Sequence, residues 1–264
     1  FSNKGKIIGL LPANISNGVL NSHGGLTYGG LVVNSSTRSA VVMEIFERII
    51  IFCQNNGINT FKYSPIPTYL QTSPFQSDMY AIKYFGGFLD SRSLNSVIHL
   101  DDFSISKNKK RAIKKAEKSE ANVGFSENWT GFWSILEQEL KARHAVSPVH
   151  SIDEILHLRD KFPERIKLFV AGINGDIVSG TVLFLHENTV HTQYLASSLI
   201  GRENGTLDKT IFEIMRLYGG KKKYLSLGIS TENHGKKINY GLINFKEGFG
   251  ANSWIHDRYI IDIS

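Results

Sequence analysis

The chain has 264 residues, of which 41% are hydrophobic and 20% charged, and its 30 basic and 24 acidic residues give a formal net charge of +6. This composition excludes an intrinsically disordered chain, a collagen-like repeat and a coiled coil, and it provides enough apolar material for one or two cores. So small a positive excess fits an anionic ligand such as a nucleotide, a coenzyme or tRNA, and equally a protein that binds none of these. The position of the basic residues is therefore more informative than their sum.

Cys53 is the only cysteine, which excludes an internal disulfide and a cysteine-rich zinc site. It follows the apolar run 49–52, and this predicts a buried, unreactive thiol. No apolar stretch approaches the roughly 20 residues that span a bilayer, and neither a His-Glu-x-x-His motif nor clustered carboxylates indicate a metal site. We therefore expect a cytoplasmic protein with no transmembrane segment and no metal.

The amino-terminal part of the chain alternates predicted strands and helices. Hydrophobic patterning predicts strands at residues 6–15, 31–33 and 59–63, and a helix from residues 36–37 to about residue 55. A glycine-rich stretch precedes the second of these strands, and residues 78–100 form a mixed region with no clear periodicity.

Residues 101–121 differ from the preceding segments in their density of basic residues. Seven basic residues fall within twelve positions, from Lys107 to Lys118. On a helix, Arg111, Lys114 and Lys115 share one face, while the apolar residues between them can pack against the protein. The pattern fits a solvated basic face and fits an anion-binding face equally well.

The carboxy-terminal part begins near residue 122 and follows a recognisable order. We expect helices at 129–143 and 151–162, three successive strands at 166–171, 177–185 and 190–196, a loop at 199–206 and a helix at 207–218. A strand at 224–227, a helix at 237–245 and a closing strand at 254–263 complete the prediction. This order indicates a mixed sheet covered by helices.

Four local sequences, taken in this order, resemble GNAT-type acyltransferases and, within them, the FemAB-related branch with its tandem domains. They are GGLTYGG at residues 24–30, KRAIKKAEK at 110–118, the strand–turn–strand segment at 169–184, and NYGLINFKEGFGA at 239–251. The last is similar to the family's L-x-x-F-K-x-G-F-G signature. The resemblance implies an α/β (α+β) fold of two GNAT-like domains, each a mixed, mostly antiparallel sheet flanked by helices. The predicted domains are residues 1–121, a partial GNAT-like domain ending in the basic helix, and 122–264, a GNAT acyltransferase domain.

In GNAT domains the acyl donor lies where two central strands diverge, and the pyrophosphate of coenzyme A binds backbone N–H groups at a helix start. The resemblance places this contact in the segment 199–206, whose candidate cofactor-binding residues are Gly201, Arg202, Asn204, Gly205 and Thr206. The segment matches the usual GNAT loop only in part. This leaves acetyl-coenzyme A, the predicted donor, and aminoacyl-tRNA, used by the peptidoglycan-bridge members, as alternatives.

The resemblance also implies a transfer point at Phe245 and Lys246, where the lysine would face developing negative charge. His23, beside the glycine-rich stretch, is the first candidate for a general base, because an amine acceptor must lose a proton on acylation. Tyr28 is a candidate polar contact to substrate. The remaining candidate substrate-binding residues are Arg111, Lys114, Lys115, Ser230 and Asn233.

These residues predict an acyltransferase that moves an acyl group, acetyl by preference, from acyl-coenzyme A to an amine or hydroxyl of a sugar-nucleotide or cell-envelope precursor. The expected partner is an anionic or nucleotide-linked acceptor. Two alternatives stay open: aminoacyl transfer from tRNA to a peptidoglycan precursor, and a non-catalytic module that binds RNA or anionic lipid through residues 107–118.

Overall fold

The computed structural model describes residues 1–3, 5–22, 24, 28–144 and 146–263. The chain forms two compact units. The first contains Phe1–Leu94, Thr231–Ile238 and Ile255–Ser264, and the second contains Asn95–Ser230 and Asn239–Trp254.

In chain order, the strands and helices of the described residues are β1 (Ser2–Asn3), β2 (Lys6–Ile7), β3 (Gly9–Leu10), β4 (Ala13–Ser16), β5 (Val19–Ser22), β6 (Val32–Val33), α1 (Ser39–Asn55), β7 (Thr60–Tyr63), α2 (Ser77–Tyr84), β8 (Phe88–His99), α3 (Lys107–Lys118), β9 (Asn122–Phe125), α4 (Trp129–His144), α5 (Ile152–Lys161), β10 (Ile166–Ile173), β11 (Asp176–Leu185), β12 (Thr189–Ser197), α6 (Leu199–Asn204), α7 (Thr206–Tyr218), β13 (Tyr224–Ile229), β14 (Thr231–Glu232), β15 (Lys237–Ile238), α8 (Tyr240–Glu247) and β16 (Asn252–Asp262).

The first unit packs helix α1 against a mixed sheet. Strand β5 pairs antiparallel with β4 and parallel with β7, and β7 pairs antiparallel with β16. The apolar face of α1, with Val42, Ile45, Phe46 and Ile49, lies in a core that also includes the fully buried Phe61 of β7. The 3.6-residue spacing of these side chains explains why the segment is helical.

The second unit contains a sheet in which most neighbours are antiparallel. Strands β9, β10, β11 and β12 pair in sequence order with antiparallel neighbours, β12 pairs parallel with β13, and β13 pairs antiparallel with β8. Asn174 and Gly175 have positive φ angles of 52° and 90° in the turn between β10 and β11, as expected for a tight hairpin.

Two apolar clusters fill the second unit. One brings Trp129, Phe132 and Trp133 of α4 onto the sheet, and the other brings Ile211 and Ile214 of α7 onto it. The predicted fold class, a mixed and mostly antiparallel sheet flanked by helices, is confirmed.

Several element predictions differ from the structure. The predicted strand at 6–15 is divided into the three short strands β2, β3 and β4. Residues 199–206 form helix α6 and the start of α7, because Ser198 caps α6 by accepting a hydrogen bond from the Gly201 N–H at 3.2 Å. The predicted helix at 237–245 starts later, at Tyr240, where the Asn239 side chain accepts from the Leu242 N–H. The mixed region 78–100 resolves into α2 and the twelve-residue strand β8.

The compact units do not divide the chain at residues 121 and 122. Helix α3 belongs to the second unit, in which it packs against α7. The boundary between two GNAT-like halves stays a prediction.

Candidate active site

The second unit contains a point at which two parallel strands stop pairing. Strand β12 continues to Ser197 and β13 to Ile229, but their last paired residues are His191 and Ser226. Past this pair the two strands no longer pair with each other. Such a divergence is where GNAT domains are expected to hold the acyl group.

Strand β13 is also irregular on its other side, where it pairs with β8. The register shifts between Ser226 and Ile229, and Gly228 has a φ of +76°, a left-handed conformation that favours glycine. This β-bulge leaves residues 227 and 228 without a ladder partner in β8, and pairing resumes at Ile229.

Lys246 of α8 binds the bulge. Its Nζ donates hydrogen bonds to the Gly228 carbonyl at 2.8 Å and to the Ile229 carbonyl at 2.7 Å, and the residue is 2% exposed. Burial lowers the pKa of Lys246 to about 7, because a charged amine loses hydration in this environment. An ammonium has three N–H donors, and the two carbonyl groups accept from two of them.

Ser230, a predicted substrate-binding residue, follows the bulge directly. It is fully buried, its Oγ lies 3.1 Å from the Ser96 Oγ, and its carbonyl accepts a hydrogen bond from the Asn239 N–H. The structure therefore places Ser230 beside the strand segment that Lys246 holds, at the start of the connection to α8. Its hydroxyl is engaged with protein.

Phe245 lies on a different side of α8 from Lys246. Its ring packs edge-on against Phe249 at 5.5 Å, and the Nζ of Lys109 lies 3.4 Å from its centroid. Phe245 is thus a packing partner of α3, and only its neighbour Lys246 reaches the bulge.

The predicted cofactor loop is closely packed against protein. A Cβ atom on Gly201 would lie 2.3 Å from the Val178 carbonyl oxygen, and one on Gly205 would lie 2.5 Å from the Ala112 carbonyl oxygen in α3. Thr206 is fully buried, and its Oγ1 lies 2.7 Å from the Ser179 Oγ. These glycines make room for neighbouring backbone.

The two polar side chains predicted in this segment also have protein partners. Arg202 forms an ion pair with Glu139 and donates to the Ser197 carbonyl at 2.8 Å. Asn204 donates to the Ile200 carbonyl one helical turn earlier.

The basic helix α3 presents most of its charge to solvent. Six of its seven basic side chains are exposed: Lys107, Lys110, Arg111, Lys114, Lys115 and Lys118. Its inner face, with Ile113 and Ala116, is buried, as the spacing predicted. Arg111, Lys114 and Lys115 therefore form part of an exposed cationic face, which we call the α3 face.

The other predicted site residues belong to the first unit. Tyr28 is half-buried, its ring lies 6.1 Å from that of His256, and burial together with Tyr69 raises its pKa. Asn233 is exposed in the turn between β14 and β15, with a φ of +50°. His23 lies outside the described residues.

Within the described part of the chain, no group of three or more His, Cys, Asp or Glu side chains could hold a metal ion. None of the helices given above combines the length and the apolar character that a bilayer-spanning segment requires.

Two further charged pairs, each with a buried side chain, were also not predicted from the sequence. Lys109 forms an ion pair with Asp208 at 2.7 Å, with both side chains largely buried. In the first unit, Arg92 binds Asp257 through two hydrogen bonds of 2.6 and 2.8 Å. Lys109 shares its helical face with Ile113 and Ala116. This spacing could have indicated that Lys109 is buried, but the residue was interpreted as one member of a run of exposed charges.

The fold defined by these units is that of tandem GNAT proteins. FemX superimposes with a TM-score of 0.70 at 11% identity, covering 99% of this chain and 86% of that one. The C-terminal domain of a lysylphosphatidylglycerol synthetase from Agrobacterium fabrum gives 0.69 at 11% identity, covering 97% and 81%. A tandem GNAT protein from the clavulanic acid biosynthesis pathway gives 0.57 at 11% identity, covering 100% and 81%.

Neither protein-family models nor curated protein sequences match this chain. The similarity is therefore one of fold. At that level it confirms the resemblance to the FemAB-related branch of tandem GNAT proteins.

Proposed function

We propose that this protein is an acyltransferase that uses direct attack, with Lys246 stabilising the oxyanion that forms at the acyl carbon. The observation that carries the proposal is the buried amine of Lys246, bound to the bulge of β13 next to the point where β12 and β13 diverge. A preorganised donor in a site of low dielectric acts most strongly on charge that appears only in the transition state. An approaching oxyanion also raises the pKa of the amine and so keeps it protonated.

In the proposed reaction, the acceptor nitrogen or oxygen forms a bond to the acyl carbon. The bond between that carbon and the donor oxygen or sulfur then breaks, and the acceptor proton passes to the leaving group or to solvent. The described residues of the second unit supply the oxyanion donor, and acetylation with coenzyme A as leaving group remains chemically compatible with it.

We propose aminoacyl-tRNA as the donor, in preference to acetyl-coenzyme A. Gly205, at the amino terminus of α7, contacts the backbone of α3 at Ala112, and the first turn of α7 carries the carboxylate of Asp208. The Lys109 ammonium binds this carboxylate at 2.7 Å, so a protein ion pair already occupies the first turn of α7. Arg202, the predicted phosphate ligand, is engaged with Glu139.

The α3 face supports the same donor. Six exposed cations along one twelve-residue helix match a polymer with regularly spaced phosphates better than a single pyrophosphate group. The helix is part of the unit that contains Lys246, so that a bound polyanion and the transfer point share one unit.

The acceptor that we propose is an amine or hydroxyl of a cell-envelope precursor, either nucleotide-linked or lipid-linked. One support is the shared fold with a synthetase named for lysylphosphatidylglycerol. A reaction that consumes aminoacyl-tRNA implies a cytoplasmic active site.

Filter binding of total aminoacyl-tRNA and calorimetric titration with acetyl-coenzyme A test the donor. We expect the affinity for tRNA to fall as the salt concentration rises. In the triple variant Arg111→Gln, Lys114→Gln, Lys115→Gln, the slope of log affinity against log salt concentration should become shallower by about one unit per lost phosphate contact. The double variant Lys221→Gln, Lys223→Gln, in exposed positions of the same unit, serves as the control.

Three results would decide against this donor or this activity. Heat on addition of acetyl-coenzyme A, with no retention of tRNA, would restore the acetyl donor. An unchanged salt slope in the triple variant would show that the α3 face does not bind tRNA. Retention of tRNA with no transfer to any acceptor would favour a binding module.

A further inference from the structure

The inner face of α3 contains a buried lysine where an apolar side chain would pack. Lys109 is 9% exposed and lies on the face that includes Ile113 and Ala116. Burial of an ammonium group is unfavourable unless the group is paired, and burial lowers the pKa of Lys109 while Asp208 opposes that change. A lysine at this position therefore calls for an explanation beyond packing.

The ammonium of Lys109 joins three elements of the second unit. Its Nζ lies 2.7 Å from Asp208 Oδ1 in α7, 3.4 Å from the ring centroid of Phe245 and 4.4 Å from that of Phe249. A cation over an aromatic face is attracted by the ring quadrupole, and the attraction is strongest when water is excluded. Lys109 thus holds the Phe245 ring against α7 and α3.

The carboxyl end of α8 packs closely against the Lys109 side chain and the start of α3. A Cβ atom on Gly248 would lie 2.9 Å from Lys109 Cε, so the lysine stem lies against a glycine. The Ser106 N–H donates to the Gly248 carbonyl at 2.9 Å. A Cβ on Gly250 would lie 3.0 Å from backbone atoms of Ser104. The two glycines that follow Phe245 and Lys246 are therefore contact points for the start of α3.

Phe245 and Lys246 are consecutive on α8, so their side chains leave the helix about 100° apart. One is held by Lys109 and the other binds the carbonyls of the β13 bulge. A rotation of α8 that released the Phe245 ring would also move the Lys246 amine away from those carbonyls.

We infer that Lys109, paired with Asp208, is a positioning residue that fixes the rotation of α8 and so places the Lys246 amine at the bulge of β13. The inference rests on the proposed function for the catalytic meaning of Lys246, but the placement itself can be measured without a substrate. Lys109 acts through Phe245 and does not touch the reacting atoms.

The test compares Lys109→Met, the charge-matched double variant Lys109→Met with Asp208→Asn, and Lys110→Met, an exposed position on the same helix. Nitrogen-15 NMR of lysine side chains follows the titration of Lys246, whose signal is assigned by its loss in Lys246→Met. We expect the titration midpoint of Lys246 to rise by one pH unit or more in both Lys109 variants, because the displaced amine regains water. Lys110→Met should leave the midpoint unchanged.

In a transfer assay, both Lys109 variants should lower kcat by about 10-fold to 100-fold with the KM for tRNA unchanged, as expected when a catalytic group is misplaced by about 1 Å. If Lys109→Met does not fold, the double variant is measured in its place, because Asp208→Asn removes the carboxylate that would otherwise be left unpaired. A folded double variant with the wild-type Lys246 midpoint would overturn the inference. A shifted Lys246 midpoint in the Lys109 variants, together with no transfer by the wild-type protein, would support the positioning role and contradict the proposed function.

Discussion

Burial of the Lys246 amine predicts that the protein becomes more stable as the pH rises above neutrality. The folded amine titrates at about 7, against an ordinary value of 10.5, so the unfolded chain binds one more proton than the folded chain between these values. Stability increases with pH wherever the unfolded state binds more protons. The destabilisation caused by burying the ammonium group is at its full size below pH 7, and it disappears as the pH rises towards 10.5.

The size of the effect follows from the difference between the two pKa values. About 3.5 pH units at about 1.4 kcal/mol each correspond to about 5 kcal/mol in the free energy of unfolding. Lys246→Met removes the titrating group and should remove this rise. The free energy of unfolding of the wild type, measured relative to that of Lys246→Met, should therefore increase by about 1.4 kcal/mol per pH unit between pH 7.5 and 10.

Urea unfolding at pH 7, 8, 9 and 10 measures this difference, and comparison with the variant cancels the titration of all other groups. Lys110→Met, which changes an exposed lysine on α3, should parallel the wild type at every pH. Parallel curves for the wild type and Lys246→Met would show that the amine is not buried as described, and the electrostatic basis of the site would fail with it.

Three further substitutions test the packing around the site and in the first unit. Gly205→Ala should lower the free energy of unfolding by about 2 kcal/mol or more in urea, because φ is +68° and the new Cβ would meet the Ala112 carbonyl at 2.5 Å. An unchanged urea midpoint would mean that α3 does not contact α7 there. Asp257→Asn should cost about 1–2 kcal/mol, since its partner Arg92 is half-exposed and water replaces part of the lost pair; a loss near zero would exclude the pair as a contributor. Tyr63→Phe should cost about 2–3 kcal/mol by calorimetry, because the buried hydroxyl donates to a carboxylate and accepts from a backbone N–H, and a neutral result would contradict that network.

The sequence predicted most of the second unit, because its strands and helices follow simple periodicities and the hairpin at Asn174 and Gly175 has an unambiguous turn signal. The prediction of a loop at 199–206 was wrong, since Gly201 and Gly205 were interpreted as glycines of a phosphate-binding loop. In the structure these glycines allow close approach of neighbouring backbone. Glycine has the same appearance in a sequence whether it serves a turn, a ligand or a tight contact.

The transfer-point lysine, Lys246, came from the resemblance, and the structure supplied what a sequence does not contain. The bulge of β13 depends on pairing with β8, more than 120 residues away along the chain. The pairing of Lys109 with Asp208 is equally non-local. In both cases the chemistry depends on tertiary contacts that no local pattern specifies.

The proposed function requires that the buried amine of Lys246 supports acyl transfer from aminoacyl-tRNA. The most direct measurement is the release of radiolabelled amino acid from charged total tRNA into an acceptor, with nucleotide-linked peptidoglycan precursor and phosphatidylglycerol vesicles offered separately. We expect transfer to one of them by the wild type and a loss of about 100-fold or more in kcat for Lys246→Met, which removes one oxyanion donor. Transfer at the wild-type rate by a folded Lys246→Met protein, or transfer only from acetyl-coenzyme A, would contradict it.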